Sequence, residues 1–255
     1  MSYQTYPFIK NPHLDGGPFM LEGGRVGVLL VHGYTATTAE VRPFAEQLNA
    51  KGYTVQAPLL PGHNSVPEDA NKFSWKDWVS TTEQAYRELG SRCEEVFIGG
   101  ESTGGLLALY LGSNHPEISG LLLYAPALRL NLSRMDRVKL HIAAPFIPYH
   151  KKTVAEDDLP WKGYMVNPLK GAIQLLRLQK ATFLLLSTIR RPTLIVQGRL
   201  DKTVRKDVPK IIYNQISSVV KEIHWMEKSH HCVALDHEMD QVTVITHQFI
   251  QKVTN

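Results

Sequence analysis

The chain of 255 residues has only two cysteines, Cys93 and Cys232. That excludes a small scaffold stapled by many disulfides. Two buried thiols in a reducing compartment fit better than one bridge. No apolar run approaches the roughly 18 residues that a membrane-spanning helix needs. The first residues, MSYQTYPFIKNPHLDGG, lack a basic start followed by an apolar stretch, so no secretory segment is expected and the expected location is cytoplasmic. There is no Lys/Arg-rich run and the net charge of +4 is scattered, which argues against a nucleic-acid partner. The eleven histidines show no ligand spacing. Only His230 and His231 are adjacent, and neighbours rarely ligate one metal together, so no metal site is expected. There is no internal repeat and no low-complexity linker. What remains is an ordinary soluble composition, 43% hydrophobic and 20% charged, at a length that suits one α/β domain with an insertion.

The pattern along the chain is strand and helix in alternation. RVGVLLVHG (25–33) is a continuous apolar run closed by glycine, as expected of a strand buried on both faces. AEVRPFAEQLNAKG then has helical spacing, YTVQAP (53–58) reads as a strand, and FSWKDWVSTTEQAYRELG as a helix with Ser74 as its cap. EEVFIGG, STGGLLALYLGSNHP and ISGLLLYAPAL continue as strand, helix and strand. Such alternation predicts a mostly parallel sheet with helices on both faces.

The alternation breaks between residues 129 and 188. That stretch shows four prolines, no clear strand and a long apolar helix over 168–186 with proline in its first turn. Leu169, Ile173, Leu176 and Phe183 share one broad face of that helix, and Leu175, Leu178 and Leu185 fall on another. The helix is either ordinary core or a lid over a cavity. The expected division is therefore a core of residues 1–128 and 189–255 with a small helical cap at 129–188. Alternation resumes with PTLIVQG, RKDVPKIIYNQI, KEIHWM and a last helix over about 238–253.

Within this frame one turn stands out. Gly100-Glu101-Ser102-Thr103-Gly104 fits G-x-S-x-G where a strand meets a helix. There the serine sits on a strained turn with its hydroxyl presented, and small residues at −2 and +2 leave room for the reversal. Serine alone is a poor nucleophile at neutral pH. It needs a histidine to take its proton and an acid to orient that histidine. Asp201 follows the strand PTLIVQG, and His231 follows KEIHWM, so the three stand in the order Ser, acid, His, each in a loop after a strand, that accompanies a G-x-S-x-G turn in this fold class. An oxyanion site needs two backbone N–H donors. The candidates are the amides of Thr103, after the serine, and of Tyr34, in HGYTAT after the first core strand. Plainer readings exist: Asp201 as a turn residue capping the next helix, His231 as a loop histidine, Tyr34 as a packed aromatic.

At these residues the chain resembles a known group. LLVHGYTATTAEVRPFAEQLNAKGYTVQAPLLPGHNSVPED, GESTGG, GRLDKTV and EKSHHCVALD together look like the α/β-hydrolase superfamily, and within it the bacterial carboxylesterases and monoacylglycerol lipases. The resemblance runs from about residue 24 to the end and is weakest in the insertion. It implies the α/β-hydrolase fold and a serine hydrolase of short- to medium-chain carboxylic esters that needs no cofactor. Carried over by motif, Ser102 is nucleophile, Asp201 the acid, His231 the base, and Tyr34 and Thr103 the oxyanion donors. Leu176 and Phe183 of the cap are expected to line the substrate pocket. The chain departs from the group's usual pattern at Thr103 and Glu101 beside the serine, at Asn64 in PGHN, and at His230 before the catalytic histidine. Thioesterases, amidases and acyltransferases share the triad, and a non-catalytic ligand receptor on this fold is the rival from another class. The expected partner is a small ester, and oligomeric state is left open.

Overall fold

The computed structural model describes residues 8–152 and 159–255. In chain order come β1 (Ile9–Lys10), β2 (Phe19–Leu21), β3 (Val26–Val31), α1 (Arg42–Ala50), β4 (Thr54–Ala57), α2 (Trp75–Gly90), β5 (Glu95–Glu101), α3 (Thr103–Asn114) and β6 (Gly120–Tyr124). Then follow α4 (Arg134–Ala143), β7 (Tyr149–Lys151), β8 (Gly163–Tyr164), β9 (Val166–Pro168), α5 (Leu169–Leu185), β10 (Thr193–Gly198), α6 (Val208–Gln215), β11 (Lys221–Met226) and α7 (Met239–Thr254). A seven-stranded sheet runs β11-β10-β6-β5-β3-β4-β2. Its strands are parallel except β2, which pairs antiparallel with β4 at the edge. Seven of the amino-terminal residues read above lie outside the described part.

The continuous apolar runs become central strands because both faces of the sheet are covered. Alternate residues then go to opposite faces. Leu29, Val31, Ile98, Leu121, Leu123 and Ile195 join the core under α2, α3 and α5. Val28, Leu30, Phe97, Leu122, Leu194 and Val196 join the other core with Phe44 of α1 and Phe249 of α7. Each such side chain contributes roughly 1.5–3 kcal/mol when fully buried. β3 pairs with β4 on one side and β5 on the other, so the chain changes direction across the sheet there. In open parallel sheets ligands bind in the crevice at that switch point, outside the carboxyl ends of the strands.

Between β6 and β10 the structure differs from the sequence expectation in two ways. Short strands are present: β7 pairs with β9, and β8 pairs with β1 from the amino-terminal region. Pieces of two or three residues are too short to show a period, and their partners are remote in sequence. A helix, α4, also appears, opened by Ser133 and Asp136 in a reciprocal capping box. None of its residues is buried. Met135, Val138 and Ile142 fall on one outward stripe, continued by Phe146 at 84% exposure. The apolar face of α4 thus points away from the core, so amphipathicity alone would have packed it the wrong way round. α5 packs inward through Leu175, Leu178 and Thr182. Leu176 and Phe183 stay half-buried. Pro168 directly precedes α5 rather than lying in its first turn, and its φ of −60° suits the entry. Ser74 heads α2 as expected, its amide donating to Asp77 at 2.7 Å.

Candidate active site

The turn after β5 explains its glycines. A Cβ on Gly100 would stand 2.1 Å from the Val31 carbonyl oxygen, and one on Gly104 1.9 Å from the same atom. No side chain fits at either position, so β5 and α3 can cross β3 this closely only with glycine there. Ser102 between them takes φ 54°, ψ −104°. A non-glycine residue held in such a region costs of order 1–3 kcal/mol. The backbone around it is fixed: the Ser102 amide donates to Tyr124 O at 2.8 Å, and Ser102 O accepts from Ala127 at 2.9 Å and Leu106 at 3.2 Å. The strain presents the side chain at the crevice.

There Ser102 Oγ lies 2.9 Å from His231 Nε2, and His231 Nδ1 lies 2.9 Å from Asp201 Oδ2. An ionised carboxylate only accepts, so Nδ1 carries the proton and Nε2 turns its lone pair to the serine hydroxyl. Asp201 is 3% exposed and fully engaged. Gln197 Nε2 donates to Oδ2 at 2.7 Å, and the Thr203 and Val204 amides donate to Oδ1 at 2.7 and 3.1 Å. Burial works against ionising Asp201, but the His231 charge and hydrogen bond, with the Val204 and Thr203 amides, outweigh it and hold its carboxyl below the usual range. Burial alone would likewise lower His231; the Asp201 charge and hydrogen bond, with the Glu40 charge, outweigh it and raise the imidazole above its ordinary value. His230 points elsewhere: both its amide and its Nδ1 meet Asp236 Oδ2, at 2.7 and 3.2 Å.

The loop after β3 is pinned amide by amide. Gly33 N donates to Glu40 Oε2 at 2.6 Å, Thr35 N to His63 Nε2 at 3.2 Å, and Ala36 N to Gly33 O at 3.2 Å. Among the described residues the Tyr34 amide has no partner in this stretch, and Thr103 opens α3, where first-turn amides have none within the helix. The Tyr34 ring is packed with His63 and Trp78, and its hydroxyl donates to Pro168 O at 2.6 Å, tying the loop to the start of α5. His32 and His63 are buried and held neutral. His32 Nε2 accepts from Leu60 N and its Nδ1 donates to Gly33 O, while burial, then His63, takes its pKa to about 3. Burial takes that of His63 to about 4.

Two buried glutamates flank the serine. Glu101 Oε2 accepts from Ala234 N at 3.0 Å, and its Oε1 has no partner among the described residues. Burial, reinforced by Glu40, pushes its pKa well above the ordinary carboxyl value. Glu40 was not singled out from the sequence, nor were Gln197, His32 and His63, although the last two stand in the quoted VHG and PGHN. Leu176 and Phe183 come together in a groove of about 360 Å³ between α4 and α5, with Leu128 beside them and Arg129 over the Phe183 ring at 4.7 Å. The structure brings these two to each other, outside the hydrogen-bonded chain at Ser102. Cys93 is buried, Cys232 half-buried next to His231, and no disulfide joins them.

Sheet order, serine turn and hydrogen-bonded chain together define an α/β-hydrolase. The chain belongs to the serine aminopeptidase S33 family, whose pattern matches residues 25–238. It is 34% identical over 251 residues to a thermostable monoacylglycerol lipase of Bacillus sp. (strain H-257), covering 94% of this chain and 97% of the relative. It is 31% identical over 238 residues to a carboxylesterase of Bacillus subtilis (strain 168), covering 92% and 96%. A solved structure from work on two metagenome-derived lipolytic enzymes, LipS and LipT, superimposes with a TM-score of 0.86 at 29% identity, over 93% of this chain and 98% of the other. The resemblance suggested by the motifs is thus established for family and fold. Among the described residues no helix is long and apolar enough to cross a membrane.

Proposed function

We propose that this chain is a serine carboxylesterase acting on short- to medium-chain esters, monoacylglycerols among them, through an acyl-enzyme. The observation that carries the reading is the pair of 2.9 Å contacts linking Ser102, His231 and Asp201. Ser102 Oγ attacks the ester carbonyl carbon as its proton passes to His231 Nε2. The carbonyl oxygen becomes an oxyanion between the Tyr34 and Thr103 amides, and Asp201 stabilises the imidazolium. Collapse breaks the bond to the alcohol oxygen, which leaves with the proton from His231. Water then attacks the acyl carbon, gives its proton to His231, and the acid departs as that proton returns to Ser102.

The ester class is supported by the curated relatives, a monoacylglycerol lipase and a carboxylesterase along nearly the whole chain. Residues 129–188 serve as the cap, with Leu176 and Phe183 as apolar groups that set chain length. The core comprises the flanking segments. A panel of acyl esters of rising chain length, with glyceryl monoesters included, tests this together with intact-mass detection of an acyl group on Ser102. Turnover that peaks at short to medium chains, with a mass increase lost in Ser102→Ala, is expected. No ester turnover and no adduct would sink the reading; transfer only to a thiol or alcohol acceptor would replace hydrolase by acyltransferase.

A further inference from the structure

A carboxyl group buried beside a nucleophile is costly unless it is paired, and a neutral residue would fill the same space more cheaply. Glu40 is 6% exposed and lies at the end of the turn after β3. Its two oxygens reach two different loops. Oε2 accepts the Gly33 N–H at 2.6 Å, and Oε1 faces Cys232 Sγ at 3.7 Å, next to His231. Glu101 holds the same histidine loop from the other side through Ala234 N. A Cβ on Gly33 would stand 3.1 Å from Glu40 Oε2 and 3.4 Å from Ser102 Cβ, so the carboxyl group and the serine pack on one side of this glycine.

The consequence is for the peptide between Gly33 and Tyr34. Its oxygen is fixed by the Ala36 amide and by His32 Nδ1. In a trans peptide the N–H points opposite to the oxygen, so those two bonds aim the Tyr34 amide. Gly33 itself is the residue with most backbone freedom, and only its own N–H remains to be held. Glu40 holds it. We propose that Glu40 is a positioning residue for the ester chemistry: it fixes the Gly33 backbone so that the Tyr34 amide meets the oxyanion, ties this loop to the His231 loop, and places a second negative charge near the imidazolium. The proposal rests on the functional reading above.

The charged and titratable groups facing Glu40 are His231 and Cys232 from the loop after β11, Lys152 just past β7, and Glu101. Glu101 in turn faces Asp201 and Asp236. Burial raises Glu40, but the Gly33 donor, His231, Cys232 and Lys152 all favour its ionised form, whereas Glu101 has one donor and an unpartnered oxygen. Both carboxyl groups are raised by burial, and of the two Glu40 is the one whose partners favour the carboxylate.

Glu40→Gln keeps an acceptor for Gly33 N–H and removes the charge; Glu40→Ala removes both. kcat and KM for a short-chain ester are measured across the pH range, and the His231 imidazole is titrated by NMR, its signal identified by its loss in His231→Gln. Glu40→Ala should lower kcat about 10- to 100-fold, the scale of a misplaced reacting group, with KM within about twofold. Glu40→Gln should restore most of kcat yet share the lowered His231 midpoint, seen both in NMR and in the ascending limb of kcat/KM. A wild-type kcat in Glu40→Ala, no recovery in Glu40→Gln, or an unmoved midpoint in Glu40→Gln each overturns the proposal. If Glu40→Ala does not fold, the midpoint in Glu40→Gln decides. The NMR titration needs no substrate: a Glu40→Gln midpoint below that of wild type, where wild type hydrolyses no ester, sinks the esterase reading, whereas an unmoved Glu40→Gln midpoint, where wild type is an active esterase, sinks this proposal.

Discussion

Lowering the pH should loosen this fold through two buried histidines. His32 and His63 are 0% and 5% exposed, with pKa values of about 3 and about 4. In the unfolded chain each takes a proton near pH 6.5. Below that pH the unfolded state binds a proton that the folded state refuses, so stability falls as pH falls, and continues to fall until the folded values are reached. From pH 7.5 to pH 5.0 each histidine crosses about 1.5 units below its unfolded value, at about 1.36 kcal/mol per unit, or about 2 kcal/mol each. Glu40 and Glu101 act in the opposite direction, because raised carboxyl groups take up protons in the folded state first. The isolating measurement is therefore a difference. Urea unfolding of wild type, His32→Gln and His63→Gln is followed at both pH values. Each variant should lose about 2 kcal/mol less than wild type between them, whatever its absolute stability. A total stability of about 5–15 kcal/mol makes this easy to resolve. If a variant shows the same pH dependence as wild type, its histidine is not held neutral as argued.

Three further outcomes are expected. Ser102→Ala and Ser102→Gly should both lower kcat on the order of 10⁴–10⁶-fold, and Ser102→Gly should also unfold about 1 kcal/mol later in urea, because glycine relieves the positive φ. His231→Gln should abolish turnover while His230→Gln costs about tenfold or less, since His230 bonds Asp236 and His231 bonds Ser102 and Asp201; in wild type the ascending limb of kcat/KM should have its midpoint above the ordinary imidazole value, so activity is lost as pH falls through it. Leu176→Ala or Phe183→Ala should change the long-chain to short-chain ratio of kcat/KM by the equivalent of roughly 1–3 kcal/mol per methylene lost from contact; an unchanged ratio for both would make the groove between α4 and α5 part of the scaffold only.

What the sequence disclosed and what it withheld separate along one physical line. β3, β5, β6 and β10 were readable because burial on both faces leaves unbroken apolar runs. Ser102 and Asp201 were readable because each sits just past such a run; His231 follows β11, whose KEIHWM is mixed and only partly buried, and was readable from its place after the other two. Both signals are local. The short strands β7, β8 and β9 depend on partners across the fold, such as Ile9 opposite Tyr164, and leave no local trace. α4 carried a legible start at Ser133 and Asp136, but its apolar stripe says nothing about which way it faces. Gln197 and His63 act on Asp201 and on the Thr35 amide through contacts that nothing adjacent announces. Glu101 lies between these cases. Alternation along β5 places it on the same face as Phe97, the face covered by α7 and the loop carrying Ala234, so a buried orientation follows from counting residues by two. That a second carboxyl group, from a turn some sixty residues earlier, would meet it there does not follow from counting. It follows only from β3 and β5 being neighbours in register, Val31 opposite Gly100, which brings the turn after one strand against the turn after the other. The features that make this site unlike a bare triad are products of that register.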